Sequence, residues 1–397
     1  MGPRTALVLT PRLPWPLDDG GRIVMWQSVW SAAQEYRTIL VSLVHPDAPA
    51  SPVPREIEDL GIEVIPIPHR PPSTLAAAWS GIAGRWPLTL ARFRSEGLRS
   101  TLGRLVETRR PAFALVNHLH LATYVDDLGR VPMVLREHNV EYLWMERYAR
   151  AQGLGPRGLY ARVQAGRLRA AEARLCGRAS LVLAIQAREA EILQRLAPHC
   201  PVRVVPIGID FARFGEPCPA QPPVVLIAGS FAWEPNSRGA LRFLQEGWPR
   251  LRALAPEVRL RLAGKGPPAE LVEAAERGGA ETTGYVASMS EEFARASVLL
   301  VPLWVGAGAR VKIVEAIAAQ LPVVSTPLGA EGLGLIGGRD YVEADSPEAL
   351  AEGVAGVLRA PDRGRAGARS ARALAAESRG LPAVAALQNR YCAEVAG

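Results

Sequence analysis

Short apolar runs of about four to eight residues alternate with stretches of helical period along the whole chain. That is the pattern of parallel strands buried on both faces and joined by helices. In the first half the runs predict strands near Thr5–Thr10, Arg37–Val44, Ile62–Ile67, Phe113–Asn117, Pro132–Arg136, Leu181–Ile185 and Val202–Pro206. In the second half they predict strands near Val224–Ala228, Glu257–Ala263, Ala280–Thr283, Ser297–Pro302, Pro322–Thr326 and Asp340–Val342. After Ser346 the pattern is helical, with alanine-rich turns through Ala396. Between the halves, IGIDFARFGEPCPAQPP (Ile207–Pro223) is rich in proline and lacks helical period, so it reads as a linker. The expectation is an α/β chain of two doubly wound, Rossmann-like domains facing across a cleft. The first spans 1–206, a hinge 207–223, the second 224–378, and a C-terminal helix 379–397 packs back on the first domain. Ligands of such domains bind at the carboxyl ends of the strands.

A length of 397 residues exceeds one comfortable core, which agrees with two domains. No run of eighteen uncharged apolar residues occurs, so no membrane-spanning helix is expected. MGPRTALVLTPRLPWP has a short apolar core and a proline-rich exit, and reads as a first strand rather than a signal peptide. Cys176, Cys200, Cys218 and Cys392 are scattered without metal-ligand spacing, as expected of reduced thiols in a cytoplasmic protein with no metal site. The net charge of +7 is uneven. Residues 1–205 hold 26 basic and 18 acidic side chains, the remainder 20 and 21. The excess suits an anionic substrate or membrane surface better than nucleic acid, because interleaved aromatic and basic signatures are absent.

The most informative segment is Val301–Glu331, VPLWVGAGARVKIVEAIAAQLPVVSTPLGAE. It reads as strand, glycine loop (Gly306, Gly308), helix, strand and glycine turn, with Arg310, Lys312 and Glu315 on the opening turns of the helix. Unpaired N–H groups at a helix start, close backbone approach at glycine and two cations suit a phosphate. A carboxylate five residues past Arg310 suits the vicinal hydroxyls of a ribose. Of 46 basic residues only Lys265 and Lys312 are lysine, and both stand beside glycine loops, where a compact ammonium is useful.

Several segments in order resemble the group 1 (family 4) retaining glycosyltransferases of GT-B fold. They are PRLPWPLDDGGR, REHNVEYLWMER, VVPIGIDFARF, AGSFAWEPNSRGALRFL, LAGKGP, TGYV and GAGARVKIVEAIAAQLPVVSTPLGAEGL. The resemblance implies that Glu315 is the second glutamate of an E-x7-E motif, holding the donor ribose. It implies that Arg238 sits where the diphosphate-binding lysine falls, with Lys265 and Lys312 adding to the cradle. Val286, after Gly284-Tyr285, takes the position whose backbone reads the base edge. Gly20-Gly21 resembles the glycine pair of the first-domain loop. His120 resembles the active-site histidine, and His138 is a second candidate. Two positions depart from the pattern: the first glutamate falls at Ala307 and the usual loop arginine at Ser230, leaving Arg310 as the substitute charge.

The implied function is transfer of a hexose-type sugar from a nucleoside-diphosphate donor to a glycan, lipid-linked or small-molecule acceptor. Fixed Arg and Lys charges can stabilise the leaving diphosphate without a metal, and no Asp-x-Asp occurs to hold one. With retention, the leaving phosphate itself takes the acceptor proton, since no carboxylate is placed as a nucleophile. The alternatives are a nucleotide-sugar epimerase or hydrolase of similar fold, or a non-catalytic nucleotide-binding homologue. Trp79 to Arg110 combines Trp79, Trp86 and Phe93 with Arg85, Arg92, Arg94, Arg99 and Arg104, extended by Arg162, Arg167, Arg169 and Arg174. Such a basic helix fits peripheral contact with the inner face of an anionic membrane, in keeping with polysaccharide biosynthesis.

Overall fold

The computed structural model describes residues 4–17, 19–47, 53–72, 86–306 and 310–396. These form two units, the first holding 4–208 and 382–396, the second 209–306 and 310–381.

The first unit is built on a seven-stranded sheet. Its strands are β1 (Thr5–Thr10), β2 (Arg37–Val44), β3 (Glu63–Pro68), β4 (Phe113–Asn117), β5 (Met133–Arg136), β6 (Leu181–Ala184) and β7 (Val202–Val204). They lie in the order β3-β2-β1-β4-β5-β6-β7, and every pairing is parallel. Strands β4, β5 and β6 are buried at every position, because helices cover both faces. Two apolar clusters result, one on each face: Leu7, Val116 and Leu135 belong to one, Val8, Leu115 and Val134 to the other.

The second unit carries β8 (Val224–Ala228), β9 (Arg259–Ala263), β10 (Glu281–Gly284), β11 (Val298–Val301), β12 (Val323–Ser325) and β13 (Val342–Glu343). Their order is β10-β9-β8-β11-β12-β13, again parallel throughout. All thirteen expected strands are present, with ends shifted by at most two residues. Each sheet reverses its direction of growth once, between β1 and β4 and between β8 and β11. At such a point the two flanking crossovers diverge and leave a crevice at the carboxyl ends of the strands.

The proline-rich stretch read as a linker lies along the second unit. Ile209 and Phe214 are buried in its core, and the N–H groups of Cys218 and Ala220 donate to the carbonyls of Ala294 and Arg295. The helix Leu381–Ala393 continues the chain into the first unit, where Gln388 and Asn389 donate to the carbonyls of Ser28 and Ser31. The basic segment expected as one helix is broken. Residues 73–85, with Trp79 and Arg85, lie outside the described residues, and a short helix Leu88–Ala91 precedes Glu96–Arg109, which Ser95 caps. Trp86 and Phe93, read as interfacial aromatics, pack against the first unit's core, with the Arg174 guanidinium 4.5 Å from the Trp86 ring. Among the described residues no helix is long and apolar enough to cross a membrane.

Candidate functional site

The crevice of the second unit is formed by the segments that follow β8 and β11. After β8, Gly229 turns at φ 135° with its N–H on the carbonyl of Ala263 at 3.0 Å. Trp233 then opens the helix Glu234–Arg242. After β11 the chain reaches Gly306, where a side chain would meet the Trp233 ring at 2.9 Å, so glycine is required by packing. Arg310 then stands at the start of the helix Val311–Ala318, whose apolar face supplies Ile313, Val314 and Ile317 to the core.

Lys312 projects from the first turn of that helix and donates to Asn236 Oδ1 at 2.8 Å, while Asn236 Nδ2 donates to the carbonyl of Ser230 at 2.9 Å. One hydrogen-bonded chain thus ties the β8 loop and both helix starts. A side chain at Gly229 would lie 3.1 Å from Lys312 Nζ, so glycine is what lets the ammonium reach the loop backbone. Burial, reinforced by the Arg310 charge, lowers the Lys312 pKa to about 7. Burial raises the Glu315 pKa to about 7, against the opposing charge of Arg213. Lys312 and Glu315 are therefore both held with pKa values near 7, an arrangement that suits an anion bearing hydroxyl groups.

Other expected donor residues take varied positions. Ser230 contributes its backbone carbonyl. Lys265 follows β9, and its carbonyl accepts the N–H of Phe231 at 2.9 Å, so its loop is bonded to the β8 loop. Val286 packs on the second unit's core just after β10. Arg310 is buried, with Nε and Nη2 both donating to the Leu328 carbonyl at 3.2 and 3.1 Å, so the expected substitute cation also anchors the turn after β12. Arg238 is exposed on its helix and paired with Glu234 at 2.8 Å. Ala307 and Gly308 lie outside the described residues. Asn236 and Arg213 were not singled out from the sequence. The signal for Asn236 was its place two residues into a helix that opens on a glycine loop.

In the first unit, a second cluster occupies the crevice between β1 and β4. Asp19 caps the helix Gly20–Ala33 by accepting the N–H of Arg22, and also pairs with Arg12 at 2.7 Å. A side chain at Gly21 would lie 3.1 Å from Arg12 Nη2, so the glycine makes room for that ion pair. After β4, His118 adopts φ 68°, and its ring stacks on His138 with centroids 3.7 Å apart. His138 Nε2 meets Asn117 Oδ1 at 3.2 Å, and His120 lies against Phe93 at 4.6 Å. Desolvation lowers all three imidazoles, His120 to about 4, His118 and His138 well below their usual range. At pH 7 they are neutral, able to accept a proton or a hydrogen bond. The Nδ1 atoms of His118 and His120 are buried without a protein partner. His118, His120 and Glu141 bring ligand atoms within 4.8 Å of one another, the only such group among the described residues.

The model of the family "Glycosyl transferases group 1" matches residues 222–360, which hold Gly229, Asn236, Lys265, Lys312 and Glu315. No curated protein sequence matches the chain. Among solved structures, sucrose-phosphate synthase from Thermosynechococcus elongatus superposes with a TM-score of 0.74 at 15% identity, covering 99% of each chain. Anabaena Alr3699/HepE, solved in complex with UDP-glucose, gives a TM-score of 0.67 at 16% identity, covering 98% of this chain and 100% of that one. WaaG, a glycosyltransferase involved in lipopolysaccharide biosynthesis, gives 0.68 at 16% identity over 99% of this chain and 100% of its own. The match over residues 222–360 makes the second unit similar to the group 1 glycosyltransferases, and the two parallel-sheet units together share the GT-B fold of these enzymes.

Proposed function

We propose that the second unit holds a nucleoside-diphosphate sugar and that the chain transfers its hexose-type sugar, with retention, to a glycan, lipid-linked or small-molecule acceptor bound by the first unit. The observation that carries this reading is the Ser230–Asn236–Lys312 hydrogen-bonded chain, with Gly229 making room for it, beside Glu315. Lys312 and the N–H groups opening the helix Val311–Ala318 supply fixed positive potential for the diphosphate as it gains charge on leaving. Glu315, once ionised, accepts hydrogen bonds from the ribose hydroxyls. Neutral His120 and His138 serve the acceptor side as hydrogen-bond partners. Alr3699/HepE, solved with UDP-glucose, supports this donor class, and UDP-sugars are the first to test.

The reaction is tested by incubating the protein with UDP-, GDP-, ADP- and dTDP-hexoses and a panel of acceptors, reading products by NMR. A new glycoside with the donor's anomeric configuration is expected. Free sugar or an altered nucleotide sugar in every incubation would favour a hydrolase or epimerase instead, and an inverted product would exclude the retaining step.

Nucleoside-diphosphate affinity should pass through a maximum near pH 7. The anion needs Lys312 protonated, and Lys312 loses its proton as the pH rises through about 7. The ribose needs Glu315 ionised, and Glu315 takes up a proton as the pH falls through about 7. Each limb approaches about tenfold per pH unit. A flat profile from pH 5.5 to 8.5, measured by titration calorimetry, would remove both groups from the site.

The reaction we propose is metal-independent. A metal-assisted reading is favoured by one observation, the His118–His120–Glu141 group. Treatment with a chelator is expected to leave turnover unchanged; loss restored by Zn²⁺ would favour the metal-assisted reading.

A further inference from the structure

In the first unit, the helices Glu141–Ala151, Pro156–Cys176 and Ala187–Leu196 line an open pocket of about 430 Å³. None of the residues discussed above as donor or histidine site lines it. Five arginines do: Arg147, Arg150, Arg169, Arg188 and Arg195. The one acid in the lining is Glu146, which lies 3.7 Å from Arg150. Between Arg147 and Arg195 the sequence places ten arginines against three glutamates, an excess equal to the net charge of +7 for the whole chain. The three helices themselves hold nine arginines against five glutamates, so a positive excess of four sits on them.

The wall of the cavity is fixed. The buried Glu172 carboxyl accepts the N–H groups of Glu141 and Tyr142 at 2.9 and 3.1 Å, which pins the start of one helix to the last turns of another. The Arg169 guanidinium sits 5.6 Å from the Tyr142 ring centroid, on that wall. Five guanidinium groups around one pocket give it a positive potential. Guanidinium forks match the oxygens of phosphate in paired hydrogen bonds, and several can share one diphosphate. We infer that this cavity binds a phosphate-bearing ligand, as a site separate from the donor cluster of the second unit.

Two sources can supply that phosphate. One is a soluble phosphate or diphosphate compound. The other is a lipid headgroup, because Leu154, Leu159 and Val163 on the same helical hairpin are 86%, 61% and 49% exposed. Their side chains would enter the acyl region beside a headgroup held by arginine.

The test uses the full chain carrying Lys312→Met, so that failure or success of the donor site does not affect the result. The probes are inorganic pyrophosphate, by titration calorimetry, and phosphatidylcholine vesicles with and without phosphatidylglycerol, by co-sedimentation. The comparison variants add Arg169→Gln with Arg195→Gln, both at exposed positions where substitution leaves the fold intact, as circular dichroism would verify. At low salt, binding of at least one probe is expected and should fall about tenfold or more in the double variant. If the source is soluble, pyrophosphate binds and vesicles do not. If it is a lipid, anionic vesicles bind and Leu154→Ser also reduces their binding. Absence of binding by both probes, or binding unchanged by the double variant, would overturn the inference.

Discussion

Lys312→Met is expected to weaken nucleoside-diphosphate binding by about 100-fold while leaving the empty protein close to wild-type stability. The two effects part because the ammonium is held for a ligand. Its pKa falls from 10.5 to about 7, mainly through burial and then through Arg310. A lysine with a depressed folded pKa costs stability fully below about pH 7, and the cost fades as pH rises from 7 toward 10.5. Methionine removes that cost and fills nearly the same space. It leaves Asn236 Oδ1 without its 2.8 Å partner, which costs about 1–3 kcal/mol in return. The lost charge-assisted bonds to a diphosphate are worth about 1.5–3 kcal/mol, or roughly ten- to several-hundred-fold in affinity. Scanning calorimetry beside titration calorimetry reads both effects. Undiminished binding in the variant would exclude Lys312 from the site; collapse of the fold would make it a structural residue.

Gly264→Ala should destabilise the second unit by roughly 2–6 kcal/mol and remove nucleotide binding with it. Gly264 follows β9 at φ 149°, and a Cβ there would lie 1.8 Å from the Gly229 carbonyl oxygen and 2.7 Å from its carbon. Both atoms are backbone, so no rotamer relieves the clash. The N–H of Gly264 is meanwhile bonded to the Gly284 carbonyl at 3.0 Å, and that of Gly229 to the Ala263 carbonyl. Either β9 must leave β10 or the β8 turn must move, and the turn carries the Ser230–Asn236–Lys312 chain. The estimate combines about 1–3 kcal/mol for overpacking with about 1–3 for a strained backbone, against a total stability of about 5–15. Gly279→Ala is the control, at φ 69° but with nothing within 4 Å of the added carbon. It should cost only about 1 kcal/mol. Thermal unfolding of the two variants checks the difference, and equal behaviour would refute the packing argument.

The strands were legible because each is an uninterrupted apolar run, and parallel strands covered on both faces have nothing polar to interrupt them. Val298–Val301 and Leu181–Ala184, buried at every residue, show this directly. The glycine loops were legible for a related reason, since Gly229 and Gly306 sit where any side chain would strike a neighbour. Contacts between distant segments were not legible. Asn236 reads as an ordinary residue near a helix start, and its role depends on a lysine 76 positions later. His118 becomes part of a cluster through φ 68° and a stack on His138, neither of which spacing encodes. The arginine-rich hairpin was noted as basic surface, but its cavity depends on a third helix, Ala187–Leu196, folding against it. For Trp86 and Phe93 the spacing shows aromatics beside arginines but not the core against which the structure packs them.

Both sheets place their polar clusters at the strand ends where the winding reverses, which is where parallel sheets leave backbone and side chains accessible to a ligand. The central claim is that the cluster of the second unit is a nucleoside-diphosphate site. Titration calorimetry of the full chain at pH 7 with UDP, GDP, ADP and dTDP tests it most directly, with Glu315→Ala alongside. One diphosphate binding at a single site, and markedly more weakly to Glu315→Ala, is the predicted result. No heat with any of the four, from a folded protein, would contradict the claim.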